Sequence, residues 1–455
     1  MGGNHVFRSL DRGDHWMIIS PDLTTNDMTK YAPDSRDVAA IEKAKHLPNT
    51  PSGGITRDVT GAETHCTIIS ISESPLVPGL IWAGTDDGNV QLTRNDGGAW
   101  ANVRAAIPNV PKGTWVSRVE ASRFDAGTAY VTFDGHRSDD FHTYVFKTTD
   151  YGKTWANIMG NIRDGQPAYV IREDLKRKDL LFLGTEYGAF VSFDGGKAWS
   201  SLSLNLPVVA VHDLLIHPRD NDLIAATHGR GIWIMDDITA LRLATDTVLN
   251  QDAALFDVNK PGTRWIQAGR GGYSRGDLFF KGENPPFGAL INFYVKAKPD
   301  KPATLEITDA TGALKTTYLL EAVEPGITRL AWDLRFDPPA QSIQGMASNL
   351  KKQIEAALLR SDLTAEQKTT LQNAQKALEQ YGTNFRKYVE IQRSVMPIIR
   401  AGGGFFGGGG GMGGRGMGGQ MAEAGTYVVK LTVSGKTYAG KVSVKLDPIQ
   451  EAQGN

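Results

Sequence analysis

The side chains best suited to chemistry sit where short apolar segments break into Asp, Gly and His. Asp86 and Asp87, Asp139 and Asp140, and Glu186 fall at such breaks. A carboxylate from one break facing a carboxylate from the next can supply the acid and base of an inverting glycoside hydrolysis if the two stand about 6.5–9.5 Å apart. Turn chemistry alone also accounts for Asp86-Asp87-Gly88, because Asp and Gly are the residues tight turns demand. Glu186 beside Tyr187 has the residue types of a tyrosine nucleophile with its carboxylate, yet neighbours on a strand point to opposite faces. His136, Arg137, His228 and Arg230 suit an anionic group, and an arginine packed on a neighbouring element accounts for Arg230 equally well. His212 and Asp213 open another apolar segment. There is no His-x3-His spacing, phosphate loop or dinucleotide motif, so the reading expects no metal and no cofactor.

These residues need a scaffold, and an internal repeat supplies one. The pattern S/T-x-D/N-x-G-x-x-W occurs four times, carried by Asp11, Gly13 and Trp16; by Asn95, Gly97 and Trp100; by Asp150, Gly152 and Trp155; and by Asp194, Gly196 and Trp199. The Asp or Asn can accept backbone N–H groups, the Gly permits positive φ, and the Trp packs beneath. The motif is structural rather than catalytic. Its flanks alternate apolar and polar residues, the period of a strand, and the layout returns about every 40 to 50 residues, as four-stranded propeller blades do. The motif joins third to fourth strands. The breaks listed above join second to third strands, which puts the chemistry-bearing residues on the opposite face, where a groove would suit a polar ligand.

Composition narrows the partners. The 455 residues carry 49 Lys and Arg against 50 Asp and Glu, a formal charge of −1, which argues against a nucleic acid or an anionic membrane surface. Cys66 is the single cysteine, excluding an intrachain disulfide. No run is long and apolar enough for a transmembrane segment, and residues 1–30 lack the features of a signal peptide.

Ser20 to Asp27, Thr60 to Glu63, Lys147 to Trp155 and Thr227 to Asp237 give the first half a specific likeness. Ser9 to Asp237 resembles the later blades of the large bacterial BNR-repeat (Asp-box) proteins, which are glycosyl hydrolase-like and related to the sortilin propeller. The resemblance implies further blades upstream and a secreted or periplasmic location. Met1 falls where the third strand of a blade is already under way. The expectation is therefore an internal-start fragment or half of a split propeller, with first and last blades that need upstream blades or a partner chain.

Past Asp237 the pattern changes. Short strand patterns between Pro and Gly turns, with a closing hairpin at Gly425 to Val444, predict a β-sandwich over 250–345 and 422–448; it resembles Ig-like or fibronectin-like modules. Helical periodicity over Ala347–Arg360 and Ala365–Tyr381, the second opened by a Thr364-to-Gln367 capping box, predicts a helical hairpin inserted over 346–396. The glycine tract at 401–420 predicts a flexible loop. The fold class is thus mainly β: about four blades of a partial propeller over 1–245, then the interrupted sandwich. The function expected is non-catalytic binding of a glycan, protein or peptide. A sialidase- or xyloglucanase-like glycoside hydrolase and a subunit completing a split propeller are the alternatives.

Overall fold

The computed structural model describes residues 3–27, 65–257, 261–264, 287–401 and 419–449. Of the stretches named above, Thr60 to Glu63 and almost all of the glycine tract lie outside the described residues. The chain divides into two compact units, Met1–Ile238 and Thr239–Asn455. Among the described residues no helix is long and apolar enough to cross a membrane.

The first unit is a row of antiparallel propeller blades. A two-stranded sheet, β1 (Phe7–Arg8) and β2 (Met17–Ile18), precedes three four-stranded ones. These are β3 (Ile68–Glu73), β4 (Ile81–Thr85), β5 (Val90–Thr93) and β6 (Trp100–Asn102); β7 (Trp115–Ala121), β8 (Ala129–Asp134), β9 (Tyr144–Thr148) and β10 (Ala156–Asn157); and β11 (Ala168–Glu173), β12 (Leu181–Thr185), β13 (Gly188–Ser192) and β14 (Ser200–Ser201). A three-stranded sheet, β15 (Val211–Ile216), β16 (Leu223–Thr227) and β17 (Ile232–Met235), ends the row. Within each sheet the strands follow chain order. The β4, β8 and β12 segments are buried throughout, as befits strands covered on both faces.

Blade joins blade through the first strands. The amides of Val119 and Ala121 donate to the Ser70 and Ser72 hydroxyls at 2.9 Å, Ser117 donates to the Ala168 carbonyl at 2.7 Å, and Arg172 Nε donates to the Leu214 carbonyl at 2.7 Å. At one of these joints no side chain fits: a Cβ on Gly184 would stand 2.5 Å from the Val211 carbonyl oxygen. At the two ends of the row apolar residues are exposed, Phe7 and Ile18 on the first sheet and Leu215, Ile232 and Ile234 on the last.

The repeated motif behaves as its residue types require. In the third copy Thr148 Oγ1 donates to Asp150 and accepts the Gly152 amide, both at 2.9 Å, and Asp150 accepts the Thr154 amide at 2.9 Å. The other copies repeat these bonds through Ser9 and Asp11, Thr93 and Asn95, and Ser192 and Asp194. Gly13, Gly97, Gly152 and Gly196 all have positive φ, between 80° and 107°, where a side chain would be strained. In the three four-stranded sheets the motif joins the third strand to the fourth, and in the first sheet it joins β1 to β2.

In the second unit two sheets face one core. One is β18 (Ala253–Leu255), β20 (Ala289–Val295) and β23 (Gly326–Trp332). The other is β19 (Gly262–Arg264), β25 (Lys436–Leu446), β24 (Gly425–Val433), β21 (Ala303–Thr308) and β22 (Lys315–Leu320). Phe293, Trp332, Phe336 and Leu431 are fully buried between them. The helical insertion differs from the hairpin expected. It holds three helices, α1 (Ala340–Leu358), α2 (Ala365–Tyr381) and α3 (Phe385–Ala401), packed on one apolar core. The capping box opens α2 as the sequence predicts. The third helix buries Phe385, Tyr388, Ile391 and Val395; its aromatic and β-branched residues and the internal Pro397 mask a helical period.

Candidate functional site

Each blade's first strand carries a register shift near its start, between Ile68 and Ser70, Trp115 and Arg118, Ala168 and Val170, and Val211 and Asp213. A bulge turns its extra residue out of the ladder and re-aims the side chain. Tyr169 and His212 are the extra residues of the last two shifts. The turns after the second strands are anchored alike: the amides of Asp86, Glu186 and His228 donate to the carbonyls of Thr67, Pro167 and Ala210 at 2.9–3.0 Å. Bulge residues and turn residues are therefore brought together from successive blades.

What they build is a ladder of rings. Tyr169 lies 4.1 Å from His212, centroid to centroid, and His212 stacks on His228 at 4.9 Å with 27° between planes. His136 meets the Tyr169 edge at 6.1 Å. The Tyr169 hydroxyl donates to Glu186 at 2.6 Å, and burial followed by that carboxylate raises the phenol well above its ordinary value. Burial, then the neighbouring His228, holds His212 below the ordinary imidazole value. His136 Nδ1 lies 2.7 Å from both oxygens of buried Asp134. Arg137 stacks on Trp115 at 4.0 Å, with Nη1 3.5 Å from Asp134. Tyr187 and Arg230, which follow Glu186 and His228 in the same turns, are exposed. Among the described residues no hydrogen bond engages the ring nitrogens of His212 or His228, so both present free donor and acceptor edges.

Several of the expected residues lie elsewhere. Asp86 and Asp87, read as acids on an open face, are 2% and 4% exposed. Asp87 accepts the Thr25 amide at 2.5 Å and the hydroxyls of Thr25 and Thr85. Asp86 accepts the Thr67 amide at 2.7 Å and lies 3.8 Å from His65, and burial pushes it up to about 6. Both serve the joint between strands. Asp213 turns away from its neighbour His212 into an ion-pair ladder, 2.9 Å from both Arg118 and Arg172, with Arg172 2.7 Å from Glu120. Asp140 accepts the Tyr144 hydroxyl at 2.9 Å, whereas Asp139 is exposed at a left-handed φ of 60°. The two acids border a groove of about 630 Å³ with Phe141, His142 and Asp164. There His142 Nδ1 lies 2.6 Å from Asp164, and that hydrogen bond raises the imidazole.

Sequence reasoning missed Asp134, Tyr169 and Trp115. A signal existed: Asp134 occupies the strand-end position that Thr85, Thr185 and Thr227 hold in the other blades, and Tyr169 occupies that of His212. Superposing the repeats on one another would have found both. No group of three or more His, Cys, Asp or Glu side chains able to hold a metal ion occurs among the described residues.

No known family model matches the chain, and no curated protein sequence does. Solved structures are similar in part. The structure titled YCF48 bound to D1 peptide is 16% identical over 37% of this chain and 50% of its own, with a TM-score of 0.28. The GH74 enzyme of Niastella koreensis is 11% identical over 38% of this chain and 29% of its own, at 0.30. The GH74 xyloglucanase of Xanthomonas campestris is 11% identical over 61% of this chain and 40% of its own, at 0.30. The matched stretches thus span half or less of each of these chains.

Proposed function

We propose that the chain is a non-catalytic binding propeller. It recognises a polar polymer or a protein partner at the ring ladder of His136, Tyr169, His212 and His228, on the face opposite the repeated turns. The observation that supports this is the pair of stacked imidazoles with unengaged nitrogens, with Tyr187 and Arg230 exposed in the turns of Glu186 and His228: flat rings with polar edges hold sugar rings, peptide groups and carboxylates alike. Hydrolysis asks for an acid and a base free to meet one substrate, and Asp86, Asp87 and Asp140 are already engaged in the fold. A secreted or periplasmic chain is part of the same reading.

Glycan and peptide arrays probed with the full chain test it. Binding to an array member, weakened at least tenfold in the His212→Ala, His228→Ala double variant and without release of reducing ends, is the expected result. Release of reducing ends from a bound glycan, or binding indifferent to both histidines, overturns it.

A further inference from the structure

The sheets β3–β6, β7–β10 and β11–β14 each end in a fourth strand, entered through the repeated turn and its tryptophan. In the last sheet β17 is an edge, and among the described residues no strand pairs with its outer side. Met235 is followed by Asp236-Asp237-Ile238, without the Gly and Trp of the motif. Sheet edges are normally blunted by charge, proline or a bulge. This one reads Ile-Trp-Ile-Met, with Ile232 71% and Ile234 58% exposed.

A seat for the missing turn is also present. In the complete blades the motif glycine rests on the residue just past the last strand of the preceding sheet. A Cβ on Gly97 would strike Ile19, one on Gly152 would stand 3.0 Å from Val103, and one on Gly196 2.8 Å from Ile158. Trp100 and Trp199 donate through Nε1 to the carbonyls of those same residues, Ile19 at 3.0 Å and Ile158 at 2.8 Å. Each seat is fixed by one bond: the amides of Ile19, Val103 and Ile158 donate to Val6, Val90 and Val145, and that of Leu202 donates to Ala189. Leu202 is therefore the fourth seat, half-buried and with no motif upon it.

We infer that β17 and Leu202 form a docking groove for an extended segment of another protein, which adds to the blade as its fourth strand behind an aromatic residue seated on Leu202. Main-chain bonds to the edge supply affinity, as in other strand additions, and the aromatic anchor supplies register. Its sister strands give the pattern: a tryptophan, then small or polar residues, as in Trp100-Ala101-Asn102, Trp155-Ala156-Asn157 and Trp199-Ser200-Ser201.

The Thr227 amide donates to the Gly231 carbonyl, so the alternate residues Ile232 and Ile234 turn their backbone groups outward. A labelled synthetic peptide with the sequence of Thr148 to Ile158, titrated against the full chain by fluorescence anisotropy, should saturate in the range of roughly 10–100 µM. The Trp155→Ala peptide should bind at least tenfold more weakly. So should the original peptide to an Ile234→Pro chain, and, as a variant that leaves the backbone alone, to a Leu202→Asp chain. Circular dichroism confirms that both chains are folded. No saturable binding, equal binding of the two peptides, or binding unaffected in both chain variants overturns the inference. So does sedimentation showing that the chain self-associates and that Ile234→Pro abolishes it, which would make the occupant a second copy.

Discussion

His212, on the first strand of the last blade, and His228, in the turn after its second strand, stack at 4.9 Å with 27° between their planes. Charge on both rings would be repulsive in that arrangement, which disfavours protonation of His212. Burial and His228 both hold His212 below the ordinary value of 6.5. A depressed histidine contributes stability that is complete above the unfolded value and is lost as pH falls through the folded one. The Tyr169 ring, Glu186, Asp134 and His136 also face it, and the two carboxylates moderate the shift without reversing it.

The expected outcome is an NMR titration in which the His212 ring protons move with a midpoint below 6.5, and a urea midpoint that falls on acidification from pH 7 toward 5 by more in the native chain than in His212→Gln. A His212 midpoint above 6.5 would contradict the stack as described.

Asp86 carries the opposite sign. Its carboxyl is raised from 3.8 to about 6 by burial, so its stabilising form is the protonated one. That contribution is complete below 3.8 and lost as pH rises through about 6. Asp86→Asn keeps an oxygen to accept the Thr67 amide and removes the charge. Relative to the native chain it should gain stability between pH 4 and 7, on the order of 2 kcal/mol. Chemical denaturation at the two pH values measures this, and a difference that does not grow with pH would be the contrary result.

Gly184 stands where one blade meets the next, with the Val211 carbonyl 2.5 Å from where a Cβ would lie. Because the obstacle is backbone, Gly184→Ala can be accommodated only by moving the blades apart, and overpacking of this kind costs about 1–3 kcal/mol. A fall in urea midpoint of that size at unchanged m-value is expected; a change under about 0.5 kcal/mol would show that the joint yields freely.

The turns were legible because their chemistry is local. Asp150 meets Thr148 and Thr154, and Thr148 meets Gly152, all within four residues, so type and spacing suffice. Asp86 and Asp87 looked identical to surface turn acids, and what buries Asp87 is Thr25, 62 positions earlier. Tyr169 escaped notice because a bulge inserts one residue into a strand, and an alternating pattern with one extra member reads simply as a strand that starts later. His212 and Asp213 were grouped as neighbours, yet one faces the ladder of rings and the other the arginines, as adjacent strand residues must. The third helix was hidden by residues that favour strands when read singly and that close a helical core when packed against α1 and α2.

Trp100 and Trp199 reach back with their indole N–H groups to the carbonyls of Ile19 and Ile158, residues belonging to the sheet before their own. The fastening is directional: the first sheet and the β7–β10 blade are each latched by the sheet synthesised after them, whereas Trp155 closes on the Gly152 carbonyl of its own turn. On the ribosome those two sheets would wait, unlatched, until the next tryptophan emerged about a blade later, so their closure would follow translation rather than precede it.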